Sequence, residues 1–335
     1  MNSVIANLEI HYNTENAIKN GFSNLINGSF TQSQAGYFFG YLKGSNINPM
    51  KYLEFVANEI LSKVDFAKSP ECLDVCGTGG DGLKTLNIST AAAFVLASGG
   101  VKITKHGNKA VSSSSGSSDV LRELGINIAH DKTQIESNIQ NEILSFISAP
   151  HVFEFLQNLG IVRREIGVKT IFNFIGPLIN PAKPQRQLVG ISVNDTQKYC
   201  QILKNLGRKR AIVAHSENGG DEIMPFCTAN ISELLPDGNI KNWIFDPKEI
   251  PEFCNENQQE IIGADAKYNA RRMIQIFSNN TKDAYRDSVI LNSAFGFYVA
   301  NKCHTIPEGC NYAKTLLDSG MVLNFLNEFI QKNSL

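Results

Sequence analysis

The chain has 335 residues, with 31 lysines and arginines against 32 aspartates and glutamates, so its formal charge is −1 with neutral histidines. A general polyanion binder would carry a clear basic excess, which argues against that class. With 42% apolar and 19% charged residues the composition is globular rather than disordered, and the length suits two domains or one large α/β domain with an appendage.

Residues 1–12 contain an acid and amides and lack the basic and apolar regions of a secretory signal. No window approaches the roughly 18 uninterrupted apolar residues of a membrane helix, because the run 91–97 passes straight into Ser98, Gly99 and Gly100. A soluble, non-exported protein without membrane contact is therefore expected. Seven cysteines (Cys72, Cys76, Cys200, Cys227, Cys254, Cys303 and Cys310) are scattered and never spaced C-x-x-C. They read as reduced thiols in a cytoplasm, with Cys72 and Cys76 packing a strand rather than holding a metal.

Residues 14–64 read as helical throughout. Ile18, Phe22, Leu25 and Ile26, then Ala35, Phe38, Phe39 and Leu42, recur at helical spacing, punctuated by Asn27-Gly28-Ser29 and Gly44-Ser45-Asn46. A third helix follows Pro49, striped by Leu53, Phe55, Val56, Ile60 and Leu61. After Lys68-Ser69-Pro70 the style changes: a strand at 72–76, a helix at 87–97, a strand at 101–104, further strands at 187–193 and 211–214, and closing helices at 288–300 and 312–329. This alternation predicts an α/β fold: a large domain with a central, mostly parallel sheet flanked by helices, plus a small all-helical domain. Strands cannot be placed in 225–260.

The most informative segment is Asp74-Val75-Cys76-Gly77-Thr78-Gly79-Gly80-Asp81-Gly82, a strand running into four glycines. Such a loop lets backbone N–H groups approach an anion closely and adopt positive φ. Gly77, Gly79 and Gly82 satisfy G-x-G-x-x-G, yet no acidic residue lies about 20 residues on to hold a ribose, and the Gly-Lys-Ser/Thr of a Walker loop is missing. Asn87-Ile88-Ser89-Thr90 then opens an alanine-rich helix, with Asn87 a good N-cap. Its N-terminus suits an anion, although the same residues would serve equally as the cap of a buried helix.

Lys105-His106-Gly107-Asn108-Lys109-Ala110-Val111, the Ser/Gly run 112–118 and the helix after it supply two lysines and many small donors, which suit a multiply charged phosphate ester better than a flexible linker. Three strand-to-helix junctions thus converge as anion donors, as at the carboxyl ends of an α/β sheet. Asp221-Glu222, after Gly219-Gly220, commonly means a solvated acidic turn; beside phosphate loops the pair becomes a candidate hard-oxygen site for Mg2+. Lone His106 and His215 read as structural rather than catalytic.

Taken together, Gly77-Thr78-Gly79-Gly80-Asp81, Asn87-Ile88-Ser89-Thr90, Lys105-His106-Gly107-Asn108, Gly116-Ser117-Ser118-Asp119-Val120-Leu121, Val162-Arg163-Arg164-Glu165-Ile166-Gly167, Thr170-Ile171-Phe172-Asn173, Gly176-Pro177-Leu178-Ile179-Asn180-Pro181 and the 286–292 segment resemble the anthranilate phosphoribosyltransferase family of tryptophan biosynthesis. The resemblance runs along nearly the whole chain.

It implies a Mg2+-dependent enzyme that uses phosphoribosyl pyrophosphate and anthranilate, and a homodimer formed through a helical domain of 1–66 to which 162–182 returns, with 67–161 and 183–335 as the α/β domain. Matching the family's motifs implies that Gly77, Gly80, Asp81, Thr85, Asn87, Ile88, Ser89, Thr90, Lys105, His106, Gly107, Asn108, Lys109, Ala110, Val111, Ser112, Ser113 and Ser117 hold phosphoribosyl pyrophosphate. It likewise implies that Ser89, Asp221 and Glu222 hold the metal, and that Gly77, Asn108 and Arg163 contact anthranilate.

One departure stands out: the family's usual His-Pro-Ala-x-Lys stretch is here Phe153-Glu154-Phe155-Leu156-Gln157, which loses a basic residue along the acceptor's route. Lys169 and Ser118, where Arg and Ala are frequent, are minor changes. Two alternatives are a pyrimidine nucleoside phosphorylase, against which the Asp-Glu pair and the Arg163 block speak, and a non-catalytic nucleic-acid-binding relative, against which the near-neutral charge speaks.

Overall fold

The structure, a computed structural model, describes residues 15–45, 47–107 and 116–334. In chain order, α1 (Glu15–Ile26), α2 (Gln32–Gly44) and α3 (Leu53–Ser62) precede β1 (Leu73–Gly77), α4 (Ile88–Ser98), β2 (Ile103–Gly107), α5 (Ser117–Glu123), α6 (Lys132–Asn141) and β3 (Leu144–Ser148). Then come α7 (Gln157–Ile166), α8 (Phe172–Ile175), β4 (Arg186–Gly190), α9 (Thr196–Asn205), β5 (Arg210–Ser216), β6 (Ala229–Leu234) and β7 (Ile240–Phe245). The chain closes with α10 (Ala266–Phe277), α11 (Ala284–Val299), α12 (Ile306–Asp318) and α13 (Met321–Asn333).

These elements form two compact units. One contains the described residues up to Asp65 together with Pro150–Pro181; the other contains Phe66–Ala149 and the chain from Ala182 onward. The returning segment starts earlier than the 162 read from the sequence, because β3 ends at Ser148 and the chain goes straight into helical turns.

In the helical unit, the apolar stripes of α1 and α2 meet through aromatic edges. Phe22 packs edge-on to Phe38 with ring centroids 5.1 Å apart, and Phe39 packs edge-on to Phe172 of α8 at 6.1 Å. Thr31 and Gln34 close a capping box at the start of α2, satisfying two otherwise orphaned N–H groups.

In the α/β unit the strand order is β3-β2-β1-β4-β5-β6-β7. The first five strands are parallel and the last two antiparallel. The chain adds strands outward from β1 to β3 and then restarts on the other side at β4, so the order switches between β1 and β4. Ligands of open α/β sheets sit at the strand carboxyl ends beside such a switch. Gly77 pairs with Gly190 and Gly190 with Ala214 in register, which brings the ends of β1, β4 and β5 to one edge.

The core of this unit wraps α4, whose residues from Thr90 to Ala97 are all buried. A helix that is apolar on every side has to be enclosed on every side. Phe94 sits at its centre, with the rings of Phe146, Phe277, Phe325 and Phe329 at centroid distances of 5.6, 6.1, 6.4 and 5.8 Å.

Two readings need correction. The expected closing helix at 312–329 is two helices, α12 and α13, because Gly320 takes φ +77°, a left-handed conformation no helix continues through. The unplaced stretch 225–260 contains β6 and β7, which pair antiparallel along their full length.

Candidate active site

At the switch between β1 and β4, the glycine loop is shaped around one carboxylate. Gly79, Gly80 and Gly82 all have positive φ, and the backbone N–H of Gly79 donates to Oδ2 of Asp221 at 2.5 Å. A Cβ at Gly77 would overlap the Asp221 carboxylate, and one at Gly190 would overlap the Asp221 carbonyl. Thr78 is fixed to the end of β4 by its N–H on Gly190 O at 3.0 Å and by its Oγ1, which accepts from Ser192 N at 3.2 Å.

The acidic pair follows β5 through the turn 216–220. Ser216 Oγ donates to the Glu222 carbonyl at 2.6 Å. The Asn292 side chain clamps the next residue from both sides, accepting from Ile223 N at 3.2 Å and donating to Ile223 O at 2.8 Å. Glu222 Oε1 then accepts from Ser89 N at 3.2 Å, at the start of α4. Ser89 Oγ accepts from Lys105 Nζ at 3.1 Å, and the same ammonium donates to Val75 O at 2.6 Å. Three separate stretches of chain, 75–89, 105 and 221–223, are thereby joined by direct hydrogen bonds.

The electrostatics of this cluster are unfavourable as it stands. Asp221 is pushed well above the usual carboxylate range by burial first, and then by the charges of Glu222 and Asp81. Glu222 is raised by burial, against the pull of Lys105 and of its bonds to Ser89. Asp81 Oδ1 accepts from Leu83 N at 3.0 Å, while its buried Oδ2 has no hydrogen-bond donor. Carboxylates that crowd together and hold protons tightly are oxygen donors suited to a hard divalent cation, which would replace those protons. Among the described residues no group of three or more His, Cys, Asp or Glu is arranged to hold a metal by itself. Two carboxylates with a neighbouring hydroxyl match Mg2+, which is commonly held by one or two carboxylates, waters and substrate phosphates.

The other predicted residues are placed as follows. Thr85 forms a bridge with Ile262, Ile88 is fully buried with its N–H turned to Leu86 O at 2.7 Å, and Thr90 is buried. Lys105 is buried on β2 rather than displayed on a loop. The Ser117 hydroxyl fills the space where a side chain on Gly107 would lie, so both borders of the 108–115 segment come together. Asn108, Lys109, Ala110, Val111, Ser112 and Ser113 lie outside the described residues. Gly80 lies within the glycine loop beside Gly79, and His106 is the penultimate residue of β2, between Lys105 and Gly107.

Asn87 stands at the expected N-cap position, but its side chain makes no bond to its own helix; Glu222 serves Ser89 N instead. His215 Nδ1 donates to Ile191 O at 2.8 Å, a structural bond. Cys72 and Cys76 are buried thiols beside and on β1, and burial pushes the pKa of both upward.

Arg163 belongs to the helical unit. It is half-buried on α7, with its guanidinium carbon 5.8 Å from the Phe172 ring centroid and Nη2 donating to Asn173 Oδ1 at 3.4 Å. Asn173 Oδ1 is itself fixed by Thr170 N at 2.9 Å. Burial lowers the Arg163 pKa without threatening its charge. Phe153 is buried and meets Phe155 with centroids 6.4 Å apart, so the departure from the family pattern places aromatic bulk in the turn that leads into α7.

Ser216 and Asn292 carried no signal as site residues. Each acts on a backbone atom of 222–223, and an isolated Ser or Asn in a sequence does not reveal such a partner.

A glycine loop closed on an acidic pair at the switch point of an α/β sheet stands where enzymes of this architecture bind their ligands. Residues 69–323 match the model described as glycosyl transferase family, a/b domain. The chain is 40% identical over 309 residues to an anthranilate phosphoribosyltransferase of Clostridium beijerinckii, covering 91% of this chain and 90% of that one, and 38% identical to one of Pelagibacter ubique over 92% and 93%. It therefore belongs to the anthranilate phosphoribosyltransferase family. The crystal structure of the Thermus thermophilus member superposes with a TM-score of 0.84 at 26% identity, covering 99% of both chains. The Saccharomyces cerevisiae member, in complex with phosphoribosyl pyrophosphate and Mg, shares the fold at a TM-score of 0.78 and 23% identity, over 98% of this chain and 90% of that one.

Proposed function

We infer that this chain transfers the phosphoribosyl group of phosphoribosyl pyrophosphate to the amine of anthranilate, releasing pyrophosphate, as a step of tryptophan biosynthesis. The observation that carries the inference is the Asp221 carboxylate seated in the glycine loop beside Glu222, Ser89 and Lys105. Asp221, Glu222 and the Ser89 hydroxyl would hold Mg2+, which when bound neutralises the charge on the departing pyrophosphate.

In the transfer the C1–O bond to pyrophosphate breaks, the anthranilate nitrogen bonds to C1 and that nitrogen then loses a proton. Positive charge grows on the sugar while negative charge grows on the leaving group, so fixed donors around the leaving group lower the barrier. The N–H groups of Thr78, Gly79, Ile88 and Ser89 already bond within the protein, so the loop N–H groups of Gly80, Asp81 and Gly82 would supply such donors. The attacking amine is neutral near pH 7, so orientation contributes more than deprotonation. Arg163 offers a planar fork to the anthranilate carboxylate, and its stacking on Phe172 with the bond to Asn173 keeps that fork in one plane.

Pairing of two copies through the helical unit and a cytoplasmic setting belong to the same proposal. The exposed Tyr37 ring, stacked on Tyr41, is aromatic surface that pairing would cover, and all seven cysteines are free thiols. Among the described residues no helix is long and apolar enough to cross a membrane.

The test is a steady-state assay of purified protein with phosphoribosyl pyrophosphate, anthranilate and Mg2+. The inference expects N-(5-phosphoribosyl)anthranilate and pyrophosphate in equal amounts. Cleavage of thymidine with phosphate in place of that reaction would overturn it.

A further inference from the structure

Asn269 lies on α10 with 2% exposure, far from Asn87 in sequence yet bonded to it. Its Oδ1 accepts from the backbone N–H of Ala264 at 2.9 Å, and its Nδ2 donates to Asn87 Oδ1 at 3.0 Å. The polarity of this chain of bonds is forced from one end. A backbone N–H can only donate, so the Asn269 atom facing Ala264 has to be the amide oxygen, which leaves the amide nitrogen facing Asn87. That nitrogen can only donate, so Asn87 has to turn its own oxygen toward α10 and its NH2 the other way.

The surroundings keep the two residues in register. Leu86 N donates to Ile261 O and Gly263 N to Lys84 O, both at 2.8 Å, so the segment 84–86 is strapped to 261–263. Asn87 is also free of the usual duty of its position, because Ser89 N is taken by Glu222 and the Asn87 side chain does not cap α4.

We propose that Asn269 is a positioning residue that fixes the orientation of the Asn87 amide, so that Asn87 presents two N–H donors to phosphoribosyl pyrophosphate. The proposal rests on the function inferred above. The donor substrate offers oxygen acceptors on every phosphate and on the ribose; an inverted Asn87 amide would turn lone pairs toward them. Asn269 never touches the substrate and acts only through Asn87.

The experiment is calorimetric titration of phosphoribosyl pyrophosphate with Mg2+ into the full chain, paired with steady-state kinetics. Asn269→Asp keeps the acceptor for Ala264 but replaces the donor to Asn87 with an acceptor, and Asn269→Ala removes the donor without adding charge. Both are expected to weaken donor binding and raise its KM by about tenfold, the worth of one directed hydrogen bond. The KM for anthranilate should stay near that of the wild type and kcat should change less than the donor KM.

In an Asn87→Ala background the same two substitutions should change donor affinity by less than about twofold, since the partner they act through is gone. Unchanged donor binding in folded Asn269 variants, checked by thermal melting, would overturn the proposal. An equal loss in the Asn87→Ala background would overturn it too. Wild-type protein that fails to bind the donor would overturn the functional inference and this proposal together, and is read from a separate titration.

Discussion

The two ends of α4 are held in different ways. From Thr90 onward the helix is enclosed by apolar side chains, with Phe94 among four aromatic rings. At its start, polar bonds reach elsewhere in the fold: the Ser89 N–H to Glu222, the Ser89 hydroxyl to Lys105, and the Asn87 amide to Asn269. The first end is held by packing, which is non-directional and stabilising. The second is held by directed bonds that include crowded carboxylates, an arrangement that favours ligand binding over stability.

Removing the acidic pair should separate these two roles most sharply. Asp221→Asn combined with Glu222→Gln is expected to lower Mg2+-dependent turnover by at least about a thousandfold. The thermal midpoint of the metal-free protein should rise, since like charges no longer crowd a buried site. A drop in both turnover and midpoint would mean the carboxylates are structural.

The opposite separation is expected at the apolar end. Phe94→Ala should cost about 3–5 kcal/mol of stability in urea unfolding. The folded fraction at low temperature should keep near-normal kcat/KM. Loss of activity without loss of stability would blur the distinction between the two ends.

Sequence chemistry singles out residues whose signal is local and passes over those whose bonds depend on a distant partner. The glycines of 77–82 stand out because a cluster of them has a backbone reason, and Asp221-Glu222 because adjacent acids after two glycines are conspicuous. Asn292 and Asn269 are single amides on helices, and their bonds to Ile223 and Asn87 bridge large gaps in the chain. The capping expected of Asn87 fails for the same reason: the local rule is sound, but Glu222 arrives from the turn after β5 and takes the N–H it would have served. β7 escaped notice because, at the sheet edge, Lys241 and Asn242 are exposed and even Ile244 is 61% exposed, so no alternation survives. The break at Gly320 was hidden because Leu316, Leu317, Val322, Leu326 and Phe329 continue an apolar periodicity across it.

In the helical unit the comparison extends to Arg163, whose contacts are polar and aromatic together. Arg163→Ala should raise the KM for anthranilate about ten- to a hundredfold, the worth of a charge-assisted pair, with the donor KM little changed. Arg163→Lys should recover only part of that loss, because the fork is missing. Equal effects on both substrates would show that the residue does not serve the acceptor.

The smallest effect concerns a carboxylate outside the cluster. Burial raises Asp287, in the first turn of α11, to about 6, against the opposing pull of Asn255 and Arg286. A raised folded-state pKa means the folded protein holds the proton more tightly. The contribution is thus full below the ordinary carboxylate value near about 4 and is lost as the pH rises through about 6. The thermal midpoint of Asp287→Asn should therefore gain on the wild type over that window and run parallel to it above. The gain should stay below the roughly 3 kcal/mol that a rise from about 4 to about 6 is worth, because Asp287 is only half-buried and solvent screens it. A gap that keeps widening above pH 7 would contradict this assignment.

The most direct measurement is a crystal structure of the protein soaked with phosphoribosyl pyrophosphate and Mg2+. The account predicts the pyrophosphate against the 77–82 loop and the N-terminal end of α4, with a metal ion on Asp221 and Glu222. Donor bound elsewhere, or bound at the loop with both carboxylates facing away from any metal, would contradict it.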